Sequence, residues 1–176
     1  MTRHLILAIA ALWLSVIQAS WVSPLPGHDF WACLPLVFMV LLIAEFRSRE
    51  ALTVAVAAGI ALDALGSLPA GLHTALFLTC FLLADFLFQR VFTNQSLVAR
   101  LGLQAAVFLG WLLGLAALRL VRASLLGWPW DAATVWPAGA WFLPALGLQL
   151  AFAVLAGLVR RGLFGRLMLA WAVSRR

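Results

Sequence analysis

Between Gly59 and His73 the chain reads GIALDALGSLPAGLH, and an acid, three glycines, a proline and a histidine stand together inside an otherwise apolar sequence. Asp63 has the most to explain. A carboxylate near the end of a membrane helix is costly and takes a partner. It also stands at the partially negative, C-terminal end of its own helix, where the dipole disfavours it. The candidate partners are His73, the free backbone amides that start the next helix, and Arg119 or Arg122. With a partner outside the chain, Asp63 marks a binding contact. With a partner inside it, Asp63 is a clamp between two helices. Asp85, near the cytoplasmic end of the fourth apolar run, calls for Arg90 or another arginine of the inner loops. Gln18, Gln104 and Gln149 read as hydrogen-bonding links between helices.

No catalytic signature accompanies these residues. His4, His28 and His73 are scattered, without metal-ligand spacing of the HExxH kind. There is no GxSxG, no phosphate-binding glycine loop and no cysteine cluster. Cys33 and Cys80 belong to different depths of different helices, so a disulfide is not expected. The expectation is a protein that is not an enzyme, with no cofactor and no metal.

The elements that position these residues follow from composition. Of 176 residues, 65% are hydrophobic and 10% charged; a soluble domain carries about 25% charged residues. There is too little polar surface to cover a water-soluble globule, which points to one all-α integral membrane domain over residues 1–176. The net charge of +6 comes from twelve arginines and no lysine. Placed between apolar runs, they indicate membrane topology and contact with anionic lipid rather than nucleic acid.

Six transmembrane helices are expected, at about 5–22, 30–46, 51–65, 72–90, 101–121 and 139–159, with a possible amphipathic tail helix over 160–173. Pro35 is tolerable in the first turns of the second helix. The charged turn from Glu45 to Glu50 makes helices two and three an antiparallel hairpin. The third run, Ala51 to Leu65, reaches only about 22 Å against about 30 Å of hydrocarbon. In the polar tetrapeptide Thr93-Asn94-Gln95-Ser96, the Asn or Ser can cap the fifth helix.

With both termini in the cytoplasm, ten arginines lie inside and two, Arg119 and Arg122, outside. Trp21, Trp31, Trp128, Trp130, Trp136 and Trp141 then form an outer belt at headgroup level. The apolar loop around Trp128 and Trp130 lies on the membrane or against a partner. Gly66 and Gly71 flank Ser67-Leu68-Pro69 in a turn that needs positive φ or close approach. Ala55 with Gly59, and Gly110 with Gly114, are small-xxx-small steps that allow close helix packing, within the chain rather than outside it.

This stretch resembles the rod-shape-determining membrane protein family MreD. The resemblance lies in a G-x-x-x-D step, Gly59-Ile60-Ala61-Leu62-Asp63; a glycine turn, Gly66-Ser67; and a helix opening with a polar residue and alanine, Gly71-Leu72-His73-Thr74-Ala75. Pro35 and the basic turn Arg47 to Arg49 precede it in the same order, so the motif part covers about residues 31 to 96. The resemblance implies a non-enzymatic scaffold of the bacterial cell-elongation, peptidoglycan-synthesising machinery, multi-pass in the inner membrane. It implies as partners an MreC-like protein and other membrane proteins of the elongation complex. Gly59, Asp63, Gly66, Ser67, Gly71 and His73 would be its partner-contact or structural residues.

The architecture is also similar to the substrate-binding S components of energy-coupling-factor transporters, which supplies the alternative: a small-molecule-binding transport subunit. That class needs an outward pocket of convergent polar groups. The candidates are Gln18, Ser20, Asp63, Ser67, His73 and the two outer arginines. It also favours an A-x-x-x-A step on helix one, and Ala8, Ala10 and Ala11 do not make one. Both points favour the scaffold.

Overall fold

The computed structural model describes residues 2–22, 33–65, 70–91, 96–126, 144, 146–155 and 158. Among them every regular element is helical. The order is α1 (Thr2–Ile17), continued by a π-helical turn (Gln18–Val22), then α2 (Leu34–Ile43), α3 (Ser48–Leu65), α4 (Leu72–Arg90) and α5 (Leu97–Leu126). A further apolar helix, α6, runs over Leu146–Leu155. Among the described residues, three stretches are long and apolar enough to cross a membrane: Thr2–Ser20, Leu72–Arg90 and Leu97–Leu118. The tryptophan-rich loop, the tail helix, Gly66, Ser67 and His28 lie outside the described residues.

The third helix is not the short one expected. It begins at Ser48 and takes Arg49 and Glu50 into its first turn, so its 18 residues reach about 27 Å. An acid in the first turn suits the helix dipole, and the helix therefore continues where hydrophobicity stops. The fifth helix likewise begins before its apolar run, because Ser96 caps it: the Ala99 amide donates to Ser96 Oγ at 3.1 Å. At 30 residues it reaches about 45 Å, longer than the hydrocarbon layer.

α3 sits at the centre, packed against α1, α2 and α4. Its buried face is Ala51, Val54, Ala55, Ala58, Gly59 and Ala61. Small side chains let three neighbouring backbones come close. α1 packs against it, buries its small positions Ala11 and Ser15, and leaves Leu5, Ile6 and Trp13 exposed, as suits a lipid-facing surface. α2 is enclosed nearly all round and carries Leu36, Met39, Val40 and Ile43 into the core. α4 and α5 pack through an edge-on contact between Phe77 and Trp111, with centroids 4.8 Å apart. Gly110 and Gly114 face Leu83 and Leu76 of α4, so both small-residue steps are used inside this chain.

The α2–α3 turn is built from its own backbone. The Phe46 amide donates to the Ile43 carbonyl at 2.9 Å and the Arg47 amide to the Leu42 carbonyl at 3.0 Å. This is the bond pair of a Schellman ending, with Phe46 at φ 59° where glycine is usual. The Phe46 ring packs edge-on against Phe88 at 5.0 Å, which offsets part of the left-handed backbone cost. Arg47 pairs with Glu50 across the turn.

Candidate functional site

α4 starts without a side-chain cap of its own. Its N-cap is Gly71, at φ +93°, a conformation that glycine adopts without penalty. The amides of the first turn therefore need an acceptor from elsewhere. Asp63, near the end of α3, supplies it. Its Oδ1 accepts the His73 amide at 2.8 Å, and its Oδ2 accepts the Thr74 amide at 3.1 Å. Thr74 Oγ1 donates to the same Oδ2 at 2.7 Å. His73 Nδ1 lies 3.1 Å from Oδ1, and since a carboxylate only accepts, that nitrogen carries the proton. The Asp63 and His73 side chains are 9% and 14% exposed.

The geometry explains the spacing of the motif. Gly59 and Asp63 lie one turn apart on one face of α3. A Cβ at Gly59 would fall 2.5 Å from the Thr74 Cα, so the missing side chain is what lets α4 start close against α3. Asp63 then reaches the two amides that an N-cap side chain ordinarily serves. The same charge that is misplaced at the C-terminus of α3 is well placed at the N-terminus of α4. Of the candidate partners for Asp63, His73 and the α4 amides are the ones it meets; the Arg119 and Arg122 side chains lie outside the described residues. Thr74 supplies two of the four bonds and was not singled out by the sequence. Its signal was a hydroxyl three residues into a helix whose N-cap has no side chain.

The start of α2 is completed in the same manner. The Leu34 amide donates to Gln18 Oε1 at 3.1 Å, and the Cys33 amide to the buried Gln149 Oε1 at 2.8 Å. Because a tight turn joins α2 to α3, the start of α2 and the end of α3 share one end of the bundle. α2 and α4, which both begin there, take their caps from other helices.

At the opposite end the expectation for Asp85 is corrected. No arginine pairs with it among the described residues. Its Oδ1 accepts from Ser48 Oγ at 2.7 Å and its Oδ2 from Gln89 Nε2 at 2.7 Å. Ser48 at the start of α3 is already within reach, and two neutral donors satisfy the carboxylate there. His4 Nδ1 and Thr53 Oγ1, 2.9 Å apart, tie α1 to α3. Among the described residues Gln104 does not make the interhelical link expected of it, since neither of its amide atoms has a partner there. Cys33 and Cys80 are free and buried. Among the described residues no three of His, Cys, Asp and Glu gather as metal ligands.

No family model, curated protein or solved structure matches this chain.

Proposed function

We propose that this chain is a non-catalytic, MreD-like scaffold of the bacterial cell-elongation machinery that builds peptidoglycan. It crosses the inner membrane six times, with both termini in the cytoplasm. Its partners are membrane lipids, an MreC-like protein and other membrane proteins of the elongation complex. The carrying observation is the Asp63 junction. All four hydrogen bonds to this carboxylate come from His73 and Thr74 of α4, which leaves it engaged in fixing a corner between two helices. A scaffold needs such a corner, because it presents one constant surface to its neighbours. The residues that build it, Gly59, Asp63, Gly71 and His73, are also those that carry the resemblance to MreD. A transport subunit would instead turn its outer polar groups toward a pocket, whereas Asp63, His73 and Gln18 are engaged at helix starts.

The test is a pull-down of the detergent-solubilised protein from its native membranes, wild type beside Asp63→Ala, with mass spectrometry of proteins and extracted small molecules. Co-purification of elongation proteins, reduced by the substitution, is the expected result. A vitamin-like ligand together with an ATP-binding-cassette partner would move the chain to the transport class.

A further inference from the structure

A crevice opens between α2, α5 and α6, at the end of the bundle that holds the α2–α3 turn. Val40 and Ala44 of α2, Arg100 and Gln104 of α5, and Ala153 and Leu158 line it. Its walls are apolar apart from the two α5 side chains, which stand one helical turn apart on the same face. Gln104 is 1% exposed, yet among the described residues neither Oε1 nor Nε2 has a partner, and Arg100 Nε is enclosed and equally unpartnered there. Enclosed amide and guanidinium groups are nearly always hydrogen-bonded, so two adjacent orphans facing one crevice mark a place where a ligand's acceptors belong. Glu45, which follows Ala44, is already engaged by another interaction. The crevice therefore presents a cation at its mouth and an amide one turn deeper.

The dimensions choose the ligand class. The cavity holds about 50 Å³, far below the roughly 300–1,000 Å³ of pockets that enclose a metabolite. It suits part of a chain-like amphiphile whose remainder lies in the bilayer. A guanidinium favours phosphate, which it can engage through two parallel N–H bonds. An amide one turn deeper matches the ester carbonyls that lie just below a lipid phosphate, and the apolar walls match the acyl chain that follows.

We propose that this crevice holds one anionic phospholipid, its phosphate on Arg100 and an ester carbonyl on Gln104 Nε2. The proposal rests on the membrane-embedded reading of the chain and not on its place in the elongation machinery. On the arginine bias the lipid comes from the cytoplasmic leaflet.

The full chain is reconstituted in nanodiscs of equal phosphatidylglycerol and phosphatidylcholine, and native mass spectrometry counts the lipids retained after release. One retained phosphatidylglycerol per chain, favoured over phosphatidylcholine, is expected. Arg100→Gln lowers that fraction roughly tenfold, and Gln104→Leu, which removes an unpaired buried amide and keeps the fold, lowers it about threefold. Arg90→Gln, at an exposed arginine near the same end, leaves it unchanged. Equal retention of the two lipids would overturn the site. So would equal losses from Arg90→Gln and Arg100→Gln, displacement by excess inorganic phosphate, or a lipid-free dimer closed over the crevice. Failure of the wild-type chain to enter bilayers at all would sink the membrane reading along with it.

Discussion

The two ends of this bundle solve one problem differently. At the end that holds the α2–α3 turn, helices are capped by residues adjacent in sequence. α2 stops on its own backbone bonds at Phe46 and Arg47, and α5 starts on Ser96. At the other end, α2 and α4 start on acceptors that lie 10 to 116 residues away in the chain: Asp63, Gln18 and Gln149. A local cap forms with its helix and is indifferent to the rest of the fold. A distant cap exists only when two helices are packed, so it couples the start of one helix to the position of another. The end that carries the Gly59–His73 motif is the coupled end.

That contrast sets an order of damage. Asp63→Ala removes all four bonds and leaves two amides at the start of α4 without an acceptor. It should destabilise the folded protein in bilayers by about 3 kcal/mol, measured by steric trapping. Gly59→Ala drives a methyl against the Thr74 backbone and should cost about 2 kcal/mol, with α4 displaced from α3 in a spin-label distance measurement. Gln149→Leu frees only the Cys33 amide while also removing an unpaired Nε2, so about 1 kcal/mol is expected in the same trapping assay. Ser96→Ala strikes an exposed local cap where water can substitute, and about 0.5 kcal/mol should be lost. If Ser96→Ala proved as damaging as Asp63→Ala, the distinction between the two ends would fail.

Legibility in sequence did not follow the division between the two ends. Leu72–Arg90 could be bounded by reading alone, because Gly71 precedes it and a polar tetrapeptide follows. Ser96 stood beside Asn94 as one of two candidate caps for α5, and it is Ser96 that caps it. The starts of α3 and α5 were missed because Arg49, Glu50 and Arg100 interrupt the apolar pattern without interrupting the helix. At the distant end, Asp63 was visible by its rarity, with His73 and the α4 amides among its candidate partners, and Gly59 by its spacing. Gln149 as the cap of Cys33 was not visible, because no local pattern joins residues 116 apart in sequence. Asp85 misled for a related reason. Charge rules name an arginine, whereas Ser48 is delivered by the packing of α3 against α4. Gln104 misled in the opposite direction, as an apolar-run glutamine that finds no partner among the described residues.

The most direct test of the coupled end is residue-resolved amide hydrogen exchange in nanodiscs, wild type beside Asp63→Ala. The His73 and Thr74 amides should be protected in the wild type and exchange roughly a hundredfold faster in the variant. The Val91 amide, bonded within its own helix to the Leu87 carbonyl, should keep its rate. Unchanged exchange at His73 and Thr74 would mean that Asp63 does not hold the start of α4, and the clamp between α3 and α4 would have to be abandoned.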